Sequence, residues 1–315
     1  MYIGSVRFFK HLILTVIALL IIVPAIGCVY FAVQYKNLEA QVAFQFGLMV
    51  PLSAEPEGAG GGGEADNMPD GGEAGNMPVG EAGHASAVPI SYQLMYPHLY
   101  VENDFLYADE AEKTVYLTFD DGPTALTPQV LDILKDRGVS ATFFVVYRRG
   151  DFAEEMYRRI VDEGHVLAHH SASHDYNKIY SSVEAFLDDF ALLSDMLETV
   201  TGVKPELFRF PGGSVNSYNK EIHVELSAEM LRRGYTYYDW DVSAGSSTST
   251  ADRDSIFANV LNGISGKDTA VVLLHDAGTR ATVEALPDII EGLLASGYRF
   301  GALDQTVRPI CFDYL

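Results

Sequence analysis

A chain of 315 residues with 48% hydrophobic content has ample material for one large domain or two small ones. Its 43 acidic against 21 basic residues give a formal charge of -22, which argues against nucleic-acid binding and against docking on anionic lipid. Cys28 and Cys311 are too few for a disulfide framework, a usage that suits an extracytoplasmic protein not reliant on disulfides.

Leu12–Val33 carries no charged residue, and as a helix it would span about 33 Å, close to the hydrocarbon thickness of a bilayer. Arg7 and Lys10 precede it, so the positive-inside rule places the N-terminus in the cytoplasm and the remainder outside the cell. A cleaved signal peptide is the competing reading, and Ala25-Ile26-Gly27-Cys28 resembles a lipidation box. Ala25 suits the first position of such a box poorly, and Val29–Val33 stays apolar beyond the cysteine. An uncleaved anchor within residues 1–36 is the better expectation. Residues 37–90 read as a stalk and a Gly/Ala/Glu/Pro-rich linker. Glu64-Ala65-Asp66-Asn67-Met68-Pro69 recurs as Glu73-Ala74-Gly75-Asn76-Met77-Pro78, with a period too short and too polar for a packed repeat. As random coil, Pro51–Pro89 would average roughly 34 Å end to end.

Residues 91–315 are globular in composition. Strands are expected over Val115–Phe119, Thr142–Val146, Val166–Ala168, Leu207–Phe210, Thr236–Val242, Ala270–Leu274 and Arg299–Ala302. Helices are expected over Thr127–Arg137, Phe152–Glu163, Val183–Thr201, Ile222–Arg232, Ile256–Gly263 and Val283–Ser296, with Pro128 in a first turn and Gly138 and Gly202 at C-terminal caps. Alternating β and α units imply a parallel sheet, either open or closed into a barrel, and about seven strands in so short a stretch favour a small, distorted (β/α) barrel with its site at the strand C-termini.

Four segments carry chemistry. Thr118-Phe119-Asp120-Asp121-Gly122-Pro123 ends a strand with two adjacent carboxylates, which repel unless a cation or a proton lies between them. The bland alternative is a solvated turn. His170-Ser171-Ala172-Ser173-His174 spaces two histidines to chelate one metal, and with Asp121 they would make a three-ligand site with open positions. His165 and His169 thicken the cluster, with a surface position as the alternative for both. Arg209-Phe210-Pro211-Gly212-Gly213-Ser214 puts an arginine at a strand end before a tight turn, able to orient a carboxylate and expose backbone N–H groups. Val271-Val272-Leu273-Leu274-His275-Asp276 delivers a histidine at the tip of a buried strand.

In this order and at these intervals, the four segments resemble the polysaccharide deacetylases of carbohydrate esterase family 4, over roughly Thr114 to Val307. Phe208–Ser214, Thr282–Leu293 and Gly297–Phe300 look most like the membrane-anchored peptidoglycan deacetylases of Gram-positive bacteria. The resemblance implies a divalent metal, most often zinc, held by Asp121, His170 and His174. It implies Asp120 as catalytic base, oriented by Arg209, and His275 as general acid. Gly212 would donate its N–H to an oxyanion, with Leu273, Pro211 and Trp240 forming the pocket around the acetyl group. The implied reaction is hydrolytic removal of acetyl groups from N-acetylhexosamines of peptidoglycan, by a metal-held water that loses its proton to Asp120.

One motif departs from the family pattern. Where the family carries W-x-V-D-x-x-D-W, this chain reads Trp240-Asp241-Val242-Ser243-Ala244-Gly245-Ser246-Ser247, with serine at both aspartate positions. The carboxylate partner of the acid histidine is therefore missing, and Asp239 and Asp241 are the nearby candidates to replace it. The competing functions are deacetylation of a chitin-like oligomer, a secreted polysaccharide or an acetylxylan, and a degenerate domain that binds glycan without turning it over.

Overall fold

The computed structural model describes residues 90–108, 113–248 and 250–312. Two compact units divide the chain, Met1–Ala82 and Gly83–Leu315, and every described residue belongs to the second. The expected anchor, the linker and Cys28 lie outside the described residues. Among the described residues no helix is long and apolar enough to cross a membrane.

Eight strands and seven helices are described: β1 Thr114–Asp120, α1 Thr127–Arg137, β2 Thr142–Val146, α2 Asp151–Asp162, β3 Val166–Ser171, α3 Tyr176–Ile179, α4 Val183–Thr201, β4 Leu207–Phe208, α5 His223–Arg232, β5 Thr236–Tyr237, β6 Val242–Ser243, α6 Arg253–Gly263, β7 Thr269–His275, α7 Arg280–Ala295 and β8 Arg299–Gly301. All pairings are parallel, in the order β5-β4-β3-β2-β1-β7-β6, with β8 beside the first half of β1. The C-terminal caps fall where glycine suggests: Gly138 and Gly202 adopt φ of 63° and 70°, open to a residue without Cβ.

Side-chain alternation along these strands decides what meets what. Val115, Leu117, Phe119, Phe143, Val145, Val272 and Leu274 face outward into the cluster packed under the helices. Tyr116, Phe144, Ala168, Leu207 and Val271 face inward and fill the concave side. Continuing that inward register beyond the apolar layer reaches Asp120 on β1, His170 on β3, Arg209 after β4, and Leu273 and His275 on β7. A strand buried on both faces reads as an unbroken apolar run, as β7 does over residues 270–274, whereas β1 is equally buried yet carries Thr114 and Thr118 between its apolar residues. The same rule puts His169 on the outer face. It is fully buried there, stacked on Phe190 at 3.8 Å, and burial pulls its pKa down to about 3. Neither His169 nor His165 is a surface residue, and neither belongs to the metal cluster.

The sheet is open rather than closed. The single strand expected over Thr236–Val242 is interrupted, and its two short pieces, β5 and β6, form the two edges. Arg209 accounts for the break: its guanidinium takes the carbonyls of Tyr238 and Asp239, which a closing strand would need. The open side is filled from the C-terminal segment. Leu303 joins the inner apolar cluster, Tyr238 donates its hydroxyl to the carbonyls of Asp304 and Val307, and Asp239 N–H bonds to Ile310 O at 2.7 Å.

Candidate active site

Strand alternation alone would send Asp120 and Asp121 to opposite faces, yet both carboxylates face His170 Nε2, at 3.8 and 3.6 Å, and Asp121 adopts φ of 75°, a left-handed conformation costly for a residue with a Cβ. His174, with φ of 52°, is held the same way. The turn that carries it is tied to Asp189 of α4. The Asp189 carboxylate accepts from Ser171 Oγ, Ala172 N and Ser173 N at 2.6, 2.6 and 2.8 Å, and Ser171 Oγ in turn accepts from His174 N. Sequence reading missed Asp189, and nothing in its helical setting signals a role seventeen residues away.

Asp121, His170 and His174 bring one ligand atom each to within 4.8 Å of one another. Asp121 Oδ1 lies 3.2 Å from His174 Nε2 and 3.6 Å from His170 Nε2, yet this buried oxygen accepts no hydrogen bond. His170 Nδ1 donates to Arg209 O at 2.8 Å, which leaves the Nε2 lone pair facing the carboxylate when the imidazole is neutral. Burial, then the neighbouring His170, hold the pKa of His174 below its ordinary value. A carboxylate oxygen and two imidazole lone pairs converging in this way fit a divalent cation. Two imidazoles and one carboxylate are a zinc-type donor set, and three protein ligands leave positions open for chemistry. His174, 32% exposed at its side chain, keeps the centre accessible.

Asp120 is buried beside this centre. Its Oδ1 accepts from Arg209 Nη1 at 2.8 Å, while Oδ2 faces His170 Nε2 at 3.8 Å. Arg209 is itself fully buried and its donors are engaged by Asp120, Thr118 Oγ1 and the carbonyls of Tyr238 and Asp239, with Phe144 beneath its plane at 4.1 Å. Burial pulls the guanidinium pKa down, and the Asp120 charge opposes that.

His275 is the register partner of Asp120 across the β1–β7 pair. Its Nδ1 lies 3.3 Å from Ser246 Oγ, and its own N–H donates to the same oxygen at 2.9 Å. Serine therefore occupies the position beside the histidine, as the motif alignment implies. Burial lowers the His275 pKa, with Asp120 and then Asp121 acting against it. Asp239 is not the replacement carboxylate: it is fully buried and accepts from Ser214 N, Ser214 Oγ and Phe312 N at 2.8, 2.5 and 2.6 Å.

Pro211 and Gly212 form a turn beside Tyr176, whose ring packs edge-on against His174 at 5.3 Å. Tyr180 donates to Pro211 O at 2.7 Å, and a Cβ at Gly212 would meet the Tyr176 ring at 2.7 Å, so only glycine fits. Leu273 is buried on the inward face of β7. Half-buried Trp240 packs edge-on against Phe312 at 4.8 Å, so part of this wall comes from the C-terminal segment, a contact invisible in the motifs. Asp276, the residue after His275, is buried and accepts from Thr124 Oγ1 at 2.7 Å and from Thr127 Oγ1. Burial raises its pKa to about 6.

A family model described as polysaccharide deacetylase matches residues 107–231. The catalytic domain of a peptidoglycan N-acetylglucosamine deacetylase from Eubacterium rectale ATCC 33656 is similar in structure, with a TM-score of 0.63 and 35% identity, covering 66% of this chain and 96% of that one. A peptidoglycan-N-acetylglucosamine deacetylase of Bacillus cereus is 30% identical over 206 residues, 64% of this chain and 73% of its own length. The peptidoglycan-N-acetylmuramic acid deacetylase PdaA of Bacillus subtilis is 29% identical over 203 residues, 64% of this chain and 74% of its own length.

Proposed function

The chain belongs to the polysaccharide deacetylase family, a family of hydrolases, and from that premise we propose that it removes acetyl groups from N-acetylhexosamine residues of peptidoglycan with a divalent metal, zinc by its donor set. One observation carries the reading: a carboxylate clamped by a buried arginine, a histidine and an orphaned Asp-His-His triad converge at neighbouring strand tips.

Asp121, His170 and His174 would hold the metal, which when bound supplies Lewis-acid polarisation of a carbonyl and a hydroxide source at neutral pH. Asp120, its Oδ1 neutralised by Arg209, keeps Oδ2 free to take the proton of the attacking water. Water oxygen bonds to the acetyl carbon, and the Gly212 N–H donates to the oxyanion that develops there. His275, with Nδ1 turned to Ser246, presents Nε2 to the departing nitrogen. Its proton completes the amine as the C–N bond breaks and acetate leaves. Leu273, Pro211 and Trp240 wall the acetyl pocket.

The uncharged stretch Leu12–Val33 behind Arg7 and Lys10 supports anchoring in the cell membrane with the catalytic unit outside. Protease added to intact cells should then release an active fragment, and protection until the membrane is permeabilised would refute that topology. The function itself is tested by acetate release from purified peptidoglycan, with mass analysis locating the new amine. Tight glycan binding without acetate release, with zinc supplied, would show a non-catalytic binding domain instead.

A further inference from the structure

Peptidoglycan is an anionic polymer, and a chain carrying a formal charge of -22 should repel it. Binding at the cleft therefore calls for local positive charge. Several arginines here are neutralised: Arg158, Arg159, Arg232, Arg233 and Arg253 each pair with a carboxylate. Arg148 and Arg149 differ. Both are exposed, and no carboxylate pairs with either among the described residues; Arg149 lies over the Tyr147 ring at 5.7 Å, and Arg148 reaches only Tyr147 O, at 3.4 Å.

Their position is fixed by the fold. They follow β2, which runs between the two strands that deliver the triad. Val146 N–H bonds to Gly122 O, next to Asp121, and Tyr147 N–H bonds to Ser171 O, next to His170. Tyr157, fully buried, locks the tip by donating its hydroxyl to Val146 O at 2.6 Å and accepting from Arg148 N at 2.9 Å. The backbone is thus rigid where the two guanidinium groups depart, at the rim of the metal centre.

We propose that Arg148 and Arg149 form a subsite for a carboxylate carried by the glycan beside the reacting acetamide, so that strands containing muramic acid are preferred over neutral N-acetylglucosamine polymers. Planar guanidinium groups bind carboxylates through paired hydrogen bonds and suit this task better than lysine. The inference rests on the deacetylase reading above.

The test compares acetate release by the full-length, zinc-supplied enzyme on three glycans: a neutral N-acetylglucosamine oligomer, peptidoglycan strands stripped of peptide, and intact peptidoglycan. Combining Arg148→Gln with Arg149→Gln should lower the anionic-to-neutral ratio of kcat/KM about tenfold, chiefly through KM, as expected for lost charge-assisted pairs. Lys135→Gln, an exposed charge at the far end of α1, should leave the ratio alone. A drop on stripped strands identifies the lactyl carboxylate, and a drop on intact peptidoglycan only identifies the stem peptide. Acetate release with an unchanged ratio on both anionic glycans overturns the subsite. No acetate from any glycan overturns the deacetylase reading, and the subsite with it.

Discussion

Asp120 and His275 are neighbours across one strand pair, yet their supports differ in kind. Asp120 is held by a buried arginine whose donors reach four separate oxygens and whose face rests on Phe144. His275 has one neutral hydroxyl, from Ser246, at the ring nitrogen away from the site. The guanidinium beside Asp120 fixes one carboxylate oxygen by a charge-assisted bond. A hydroxyl beside His275 can donate to the neutral ring or accept from the charged one, so burial is left to set the pKa. On the proposed roles, the base Asp120 is therefore held by a charge-assisted contact and the acid His275 is tuned mainly by desolvation.

The sharpest way to probe this contrast is to remove the base. Asp120→Asn should leave metal bound while cutting turnover by roughly 10²–10⁴-fold, the usual range for a general base. Metal stoichiometry measured beside acetate release checks both halves. Arg209→Leu comes next: it strands Asp120 in the interior, and breaking one partner of a buried pair costs about 3–5 kcal/mol, read from denaturant unfolding. A loss under 1 kcal/mol would mean that water replaces the guanidinium and the support is weaker than its geometry implies.

On the acid side the effects are smaller and show in pH profiles. A general acid must carry its proton, so activity falls as pH rises through the His275 pKa, which burial holds below the ordinary value. Ser246→Asp adds a carboxylate at Nδ1, favours the charged ring and should move that limb upward by about one unit. Asp239→Asn should disturb the Ser214 and Phe312 contacts without moving it. An unmoved limb in Ser246→Asp would show that a partner carboxylate does not tune this histidine.

The smallest effect belongs to Asp276. Its folded pKa, about 6, lies above the unfolded value near 4, so its contribution is fully present below the unfolded pKa and lost as pH rises through about 6. Asp276→Asn should flatten the pH dependence of Tm across that window, and an unchanged slope would assign the shift elsewhere.

How much of this was legible in the sequence follows from contact range. β2, α1 and α4 stand where their apolar patterns and end signals put them, because both are local. The triad residues are readable because each sits in a short motif. Helix α3 went unread, since its four residues depend on the Asp175 cap rather than on any periodicity. The interruption between β5 and β6 was illegible for a different reason: it depends on Arg209, thirty residues upstream, taking the carbonyls there. Ser246 was placed correctly by its motif position, whereas Asp189 and Phe312 act through contacts that no local pattern carries.

The segment over residues 303–312 emerges from the ribosome after all eight strands, yet it fills the open side of the sheet and sets Phe312 against Trp240 and Gly213. The cleft is therefore completed last in chain order: a nascent chain in which every proposed site residue is already made still lacks one wall until residues 303–312 follow.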